Sequence, residues 1–155
     1  LTDDVHMIDI VSKANVPVVI MHKQGCPETM QQNPQYTHLI HDVQSYLQAA
    51  VLRAHEHHIS SVIIDPGIGF GKTVSDNLLI IKSLDRFKEL GCPILIGCSN
   101  KSFIGQVSNA DVGHRLSGTI TAHVISVLNG ANFVRVHDVL AAKQSFTLLQ
   151  EIYSI

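Results

Sequence analysis

Residues 61–73 read SVIIDPGIGFGKT, and this stretch sets the architecture of the chain. The β-branched run Val62-Ile63-Ile64 leads directly into Asp65, Pro66 and three glycines at alternate positions, Gly67, Gly69 and Gly71, followed by Lys72 and Thr73. A short apolar run bounded by turn residues marks a strand buried on both faces, and such strands belong to parallel sheets covered by helices. Asp65 then stands at the carboxyl end of that strand, where α/β folds carry their ligand-facing loops. Two phosphate motifs are excluded by spacing. A Walker loop needs glycine where Pro66 stands, and the dinucleotide pattern needs a third glycine where Lys72 stands. On these residues alone two readings stay open: a ligand loop, or a structural turn around a buried, hydrogen-bonded aspartate.

The flanking sequence repeats the unit. Upstream, Val16–Met21 reads as a strand ending at His22, with Pro17 near its first position, where a missing N–H is tolerated. A polar loop over residues 23–33 follows, then a helix over His38–His57 with Ile40, Val43, Leu47, Ala50, Val51 and Ala54 as its apolar stripe. Before this unit, Asp4–Ala14 predicts a short amphipathic helix on Val5, Ile8 and Val11, capped by Asp3 or Asp4. Downstream, Ser75 predicts the cap of a helix lined by Leu78, Ile81, Leu84, Phe87 and Leu90 and closed by Gly91. Pro93–Gly97 is another buried strand, opening into the polar cluster Cys98–Phe103. Residues 106–113 read as weakly structured, and a helix from Arg115 to Asn129 ends at Gly130. Asn132–Val136 forms the last strand, with Arg135 near its end and His137-Asp138 behind it, before a closing helix over Ala141–Tyr153.

Composition narrows the function classes. A chain of 155 residues, 45% apolar, can bury one core, so residues 1–155 are read as a single domain. A net charge of −2 with scattered basic residues gives no electrostatic case for nucleic acid. The apolar runs are too short to span a bilayer, and no charged leader precedes an apolar stretch. Cys26, Cys92 and Cys98 lack C-x-x-C spacing, which argues against a disulfide framework or a zinc site and for a reducing compartment. The cytoplasm is therefore expected, or an organelle if the source is eukaryotic. His55, His57 and His58 flank Glu56, but Ile59 stands where H-E-x-x-H needs its second histidine, so helix-end polarity is the ordinary explanation of the cluster and metal binding the lesser alternative. The chain begins with Leu1 rather than methionine, which suggests a start inside a longer product or processing.

Parallel strands joined by right-handed crossovers bring the residues that follow them to one rim. Met21 and His22, Asp65, Ser99 and Lys101, and Arg135, His137 and Asp138 are thus expected to converge. An acid, a lysine, an arginine and a histidine on one rim suit an anionic, hydrogen-bonding ligand. The carboxylate can hold an amino-substituted nitrogen heterocycle and the cations a phosphate or carboxylate.

Five strings along the chain then resemble the dihydropteroate synthase family, in that family's order. They are Met21-His22-x-x-Gly25-x-Pro27-x-Thr29-Met30-Gln31, Asp65–Lys72, Ser99-x-Lys101-Ser102-Phe103-Ile104-Gly105, Arg115-x-x-Gly118-Thr119 and Val134–Val139. The resemblance implies an enzyme, a transferase of folate biosynthesis from a family that sulfonamides target. It joins 6-hydroxymethyl-7,8-dihydropterin pyrophosphate to p-aminobenzoate, giving 7,8-dihydropteroate and pyrophosphate. It also implies a (β/α)8 barrel of which this chain, with about four βα units, is the carboxyl-terminal half. Carried over by residue, it implies that Asp65 bonds the pyrimidine edge of the pterin and Lys101 its ring, with Met21 and Phe70 lining the pocket. Gly69 and Gly97 leave room for the ring, Arg135 stacks on it, and Ser102 helps receive the p-aminobenzoate carboxylate. Arg135 and His137 hold the departing pyrophosphate, so Lys101, Arg135 and His137 are the catalytic candidates. Mg²⁺ is the implied cofactor, with its main ligand, an asparagine, in the missing half and no metal ligand in this one. That half would also carry two closing loops and a second pterin-binding acid. Asn100 stands where the family reads arginine, in Ser-Arg-Lys-Ser. The chain alone is expected to be inactive and to need its missing half or self-association, with a homodimer when complete. The alternatives are a non-catalytic pterin-binding or interaction paralogue and a pterin-binding module of a methyltransferase.

Overall fold

In the computed structural model, which describes residue 4 and residues 6–154, the chain is an alternation of parallel strands and helices. After α1 (Met7–Ala14) come β1 (Val18–Met21), α2 (Leu39–Glu56), β2 (Val62–Asp65) and α3 (Val74–Lys82), with a 3-10 stretch over Leu84–Leu90. β3 (Leu95–Ile96), α4 (Ser102–Ser108), α5 (Leu116–Leu128), β4 (Phe133–Val134) and α6 (Val139–Tyr153) complete it. β1 pairs with β2 and β3 with β4, both in parallel, Met21 standing opposite Asp65 and Ile96 opposite Val134. A single parallel bridge, Ile64 to Ile94, joins the two pairs in the order β1-β2-β3-β4.

The strands differ in burial for a geometric reason. β2 lies inside, and Val62, Ile64 and Asp65 are buried. β1 and β4 are the outer strands among the described residues, and Val19 and Phe133 are 43% and 48% exposed. The expectation that every strand is buried therefore holds for β2 and fails at the margins. The core runs from α2 (Val43, Leu47, Val51, Ala54) through Ile64 and Ile96 to Ile80, Leu84 and Phe87.

Several boundaries depart from the sequence reading. The start of α1 falls partly on Asp3 and Val5, which lie outside the described residues; the Asp4 carboxylate accepts the His6 N–H at 2.8 Å. α3 is capped by Thr73, not Ser75. The Thr73 hydroxyl accepts the Asp76 N–H at 3.1 Å and the Asp76 carboxylate accepts the Thr73 N–H at 2.8 Å, a reciprocal capping box that satisfies two free donors. α3 also stops at Lys82, where the Asn129 amide donates to the carbonyls of Ile81 and Lys82, and Leu78 faces outward. Residues 102–108, in part read as weakly structured, form α4; Gly105 fits there because a Cβ would lie 2.5 Å from the Arg115 guanidinium. α6 starts at Val139 because the Asp138 carboxylate caps it, accepting the Ala141 N–H at 2.9 Å. No helix among the described residues is long and apolar enough to cross a membrane.

Candidate active site

The carboxyl ends of the four strands carry the polar residues. Asp65, 1% exposed, forms the floor. Its Oδ1 accepts the Gly67 N–H at 2.8 Å and its Oδ2 lies 3.6 Å from Arg135 Nη2. Burial raises the Asp65 pKa above the ordinary carboxylate value, while the Gly67 hydrogen bond and then Arg135, Lys72 and Lys101 oppose that rise. One buried acid thus faces three cations.

Lys101 closes the site from the β3 side. Its Nζ lies 4.2 Å from the centre of the Phe70 ring, a cation–π contact, and burial followed by repulsion from Arg135 lowers its pKa. Glycines stand close to both cations, and Gly69 also takes φ +78°. A Cβ on Gly69 would lie 3.1 Å from Lys101 Cδ, and one on Gly97 would lie 3.2 Å from Arg135 Nη2. Ser99 and His137 are joined through Ser99 Oγ and His137 Nδ1 at 2.7 Å, and the His137 N–H reaches the same hydroxyl at 3.2 Å. Gly97, Ser99, Lys101, Arg135, Val136 and His137 line a cleft of about 240 Å³.

The structure thus gathers Asp65, Phe70, Gly69, Gly97, Lys101, Arg135 and His137, with Met21 opposite Asp65 in the strand register. Ser102 does not share the 240 Å³ cleft. It lines a neighbouring one of about 520 Å³ with Gln31, Asn33, Thr73, Asn77 and Gln106. Asp138 is occupied as a helix cap and His22 is turned inward, 6% exposed. Asn100 adopts φ +57°, a left-handed conformation that asparagine tolerates better than most residues. Its N–H donates to Thr119 Oγ1 at 3.1 Å and its carbonyl accepts from Arg115 Nη1 at 3.0 Å.

Three features escaped the sequence. Lys72, 3% exposed, lies with its Nζ 2.8 Å from His22 Nδ1 and donates to the Phe70 carbonyl at 3.2 Å. Gln31 reaches over to donate to the Gly69 carbonyl. His123, fully buried on α5, accepts the Cys98 N–H through Nε2 at 3.0 Å. A lysine directly after a glycine loop was the one signal available for the first. His57 and His58 close α2: His58 takes φ +60° and His57 Nδ1 lies 2.9 Å from the Arg53 carbonyl.

The model of the family described as pterin binding enzyme matches residues 1–137. The chain belongs to that family. Among its relatives, the dihydropteroate synthase of Clostridium beijerinckii is 41% identical over 140 residues, covering 88% of this chain and 49% of that protein. The crystal structure of dihydropteroate synthase from Thermus thermophilus in complex with 6HMPPP matches with a TM-score of 0.94 at 33% identity, over 98% of this chain and 61% of that one. The same Thermus enzyme in complex with 4-aminobenzoate matches with a TM-score of 0.93 at 34% identity, over 97% of this chain and 62% of that one. The chain spans about half the length of the curated relatives it matches.

Proposed function

We propose that this chain is the last four βα units, the carboxyl-terminal half, of a (β/α)8 barrel, and that with the other half it works as a dihydropteroate synthase. It would join 6-hydroxymethyl-7,8-dihydropterin pyrophosphate to p-aminobenzoate. The observation that carries this reading is the buried Asp65 carboxylate ringed by Lys101, Arg135 and Lys72 at the strand ends. A flat donor-bearing heterocycle with an anionic tail matches that pattern, and the Thermus relatives bind 6HMPPP and 4-aminobenzoate.

In this mechanism Asp65 accepts hydrogen bonds from the pyrimidine edge and Lys101 donates to the ring. Phe70 and Met21 form the walls, Gly69 and Gly97 leave space, and Arg135 stacks on the ring. The bond from the exocyclic methylene carbon to the pyrophosphate oxygen breaks, with the electron pair leaving on pyrophosphate, where Arg135 and His137 hold the charge. The aniline nitrogen then bonds to that carbon and loses a proton to solvent. Ser102, in the adjoining cleft, receives the p-aminobenzoate carboxylate. Positioning and charge stabilisation account for the catalysis, since no covalent work falls to the side chains. The Mg²⁺ of the family does not fit a cage built from this half: the described residues contain no group of three His, Cys, Asp or Glu side chains placed to hold a metal ion. Its main ligand would come from the other half.

β1 and β4 each present an edge without a partner strand among the described residues, the edges that closing a barrel would pair. The chain alone would thus be inactive, and the completed enzyme would be a homodimer. The test is intact mass of the natively produced protein together with p-aminobenzoate-dependent pyrophosphate release. A polypeptide of about 250 residues or more with turnover is expected. Full turnover by the 155-residue chain as a monomer would refute the half-barrel reading.

A further inference from the structure

The glycine loop between β2 and α3 is held at nearly every residue. The Gly67 N–H goes to Asp65, and the Gly69 N–H donates to Asn77 Oδ1 at 2.7 Å. The Gly69 carbonyl accepts from Gln31, and the Gly71 carbonyl accepts from the Tyr36 hydroxyl at 2.7 Å. Phe70 is held by Lys72, whose Nζ also meets His22 at the end of β1. This contact leaves no slack. A Cβ on Gly67 would lie 1.8 Å from the His22 carbonyl oxygen and 3.4 Å from Lys72 Nζ, so the loop, the end of β1 and the lysine are packed against one another.

A buried lysine is a costly way to build a turn, since moving a charge out of water is opposed by several kcal/mol before pairing. Among the described residues, two neutral acceptors and no carboxylate touch its Nζ within hydrogen-bond range. We propose that Lys72 is a positioning residue of the pterin site: from beneath the glycine loop its amine fastens the Phe70 carbonyl to the His22 imidazole, setting both the Phe70 ring under Lys101 and the carboxylate of Asp65. The link to pterin rests on the function proposed above; the clamp itself does not.

The groups facing this amine are His22 at the end of β1, Tyr36 in the following loop, Asp65 on β2 and Asp76 on α3. Asp42 and Tyr46 on α2 act on His22, and Lys101 and Arg135 act on Asp65. Burial pulls Lys72 down to about 7, with Asp65 and then Asp76 opposing, and burial followed by Lys72 pulls His22 down to about 4. His22 is therefore a neutral acceptor at Nδ1 near neutral pH. A neutral amine retains an N–H for His22 and another for Phe70, so the clamp survives deprotonation. What is lost is a positive charge near Asp65.

The first test is amide hydrogen exchange on the complete polypeptide. Lys72→Met, which keeps the bulk and removes the donors, is expected to speed exchange of the 67–71 amides about tenfold while β2 and α2 keep their protection. Unchanged exchange in the loop overturns the clamp. Should that variant not fold, a ¹³Cε titration of the wild-type lysines decides the matter: a Lys72 resonance that titrates with the exposed lysines, at about 10.4, overturns it. The second test is calorimetry with 6-hydroxymethyl-7,8-dihydropterin pyrophosphate on the complete polypeptide. Lys72→Met should bind about tenfold more weakly at pH 6.5, and the wild type alone should lose about threefold in affinity relative to the variant between pH 6 and 8.5. Equal affinity, or parallel pH profiles, removes the positioning role. A wild type that binds no pterin pyrophosphate overturns the proposed function instead, and hydrogen exchange still decides the clamp.

Discussion

Replacing Asp65 by asparagine separates ligand recognition from scaffold more cleanly than any other single change. The new Oδ1 can still accept the Gly67 N–H, so the turn keeps its 2.8 Å bond. The lost ion pair is at 3.6 Å to an arginine whose side chain is 59% exposed, and such pairs contribute little, about 1 kcal/mol at most. Burial raises the folded pKa of Asp65, so above the ordinary carboxylate range the folded state must release a proton that it holds more tightly than the unfolded chain does. Keeping this acid ionised therefore opposes folding at neutral pH, and a neutral amide relieves part of that cost. Stability should change by about 1 kcal/mol or less. Pterin binding should not survive as well. A hydrogen bond to an ionised acceptor contributes about 1.5–3 kcal/mol, and the asparagine N–H₂ would point a donor at donors. Affinity for 6-hydroxymethyl-7,8-dihydropterin pyrophosphate should fall about 10- to 150-fold. Calorimetric titration of the complete polypeptide at pH 7.5, beside urea unfolding of the same samples, reads both quantities. Unchanged affinity refutes the role of Asp65. A weakened ligand accompanied by a stability loss of several kcal/mol would make the residue part of the scaffold.

Lys101→Ala removes the contact 4.2 Å above the Phe70 ring and one ring donor, and should weaken pterin pyrophosphate binding about tenfold; unchanged calorimetric affinity removes Lys101 from the site. Stability should climb with pH in two windows. His22 and His123, both pulled from 6.5 to about 4 chiefly by burial, refuse protons that the unfolded chain accepts, so stability present above pH 6.5 is lost toward pH 4, by at most about 3 kcal/mol for each, and Asp65, whose pKa is raised, offsets part of that rise. Lys72, pulled from 10.5 to about 7, adds a further rise from pH 7 toward 10.5, and urea midpoints that stay flat from pH 4.5 to 8.5 would contradict both. Gly67→Ala should destabilise by about 3 kcal/mol or more, since its φ of +75° is joined by a backbone clash. Gly91→Ala, at φ +69° with open space around it, should cost only about 1 kcal/mol. Equal losses in the two, read by urea unfolding, would show that the clash with His22 is unimportant.

The strand ending at Asp65 was legible because a β-branched run followed by an acid, a proline and alternate glycines leaves few other conformations. The placement of Lys101, Arg135 and His137 followed from topology, each lying at or beyond the carboxyl end of a strand. Local patterns misled where tertiary contacts decided the outcome. Ser75 looked like a cap, yet Thr73 and Asp76 satisfy each other three residues apart, and that pairing begins the helix earlier. Residues 106–113 read as weakly structured, yet 106–108 finish a helix whose Gly105 leaves room for Arg115, a contact ten residues away that no local window contains. The lysine beneath the glycine loop was invisible for the same reason: its partner His22 is fifty residues upstream, and nothing in either residue's neighbourhood announces the other.

The two strand pairs meet along a seam of one bridge, Ile64 to Ile94, and the site is divided across it. Met21, Asp65 and Phe70 belong to one panel, Lys101, Arg135 and His137 to the other, and the contacts of Asp65 with Arg135 and of Lys101 with Phe70 cross the gap. A ligand gripped by Asp65 on one side and Arg135 on the other would act as a stitch. The shared core already holds the two panels together, so the ligand would add a polar fastening on the rim to an apolar one beneath it, and a panel that drifted by an ångström would lose its ligand before it lost its strands.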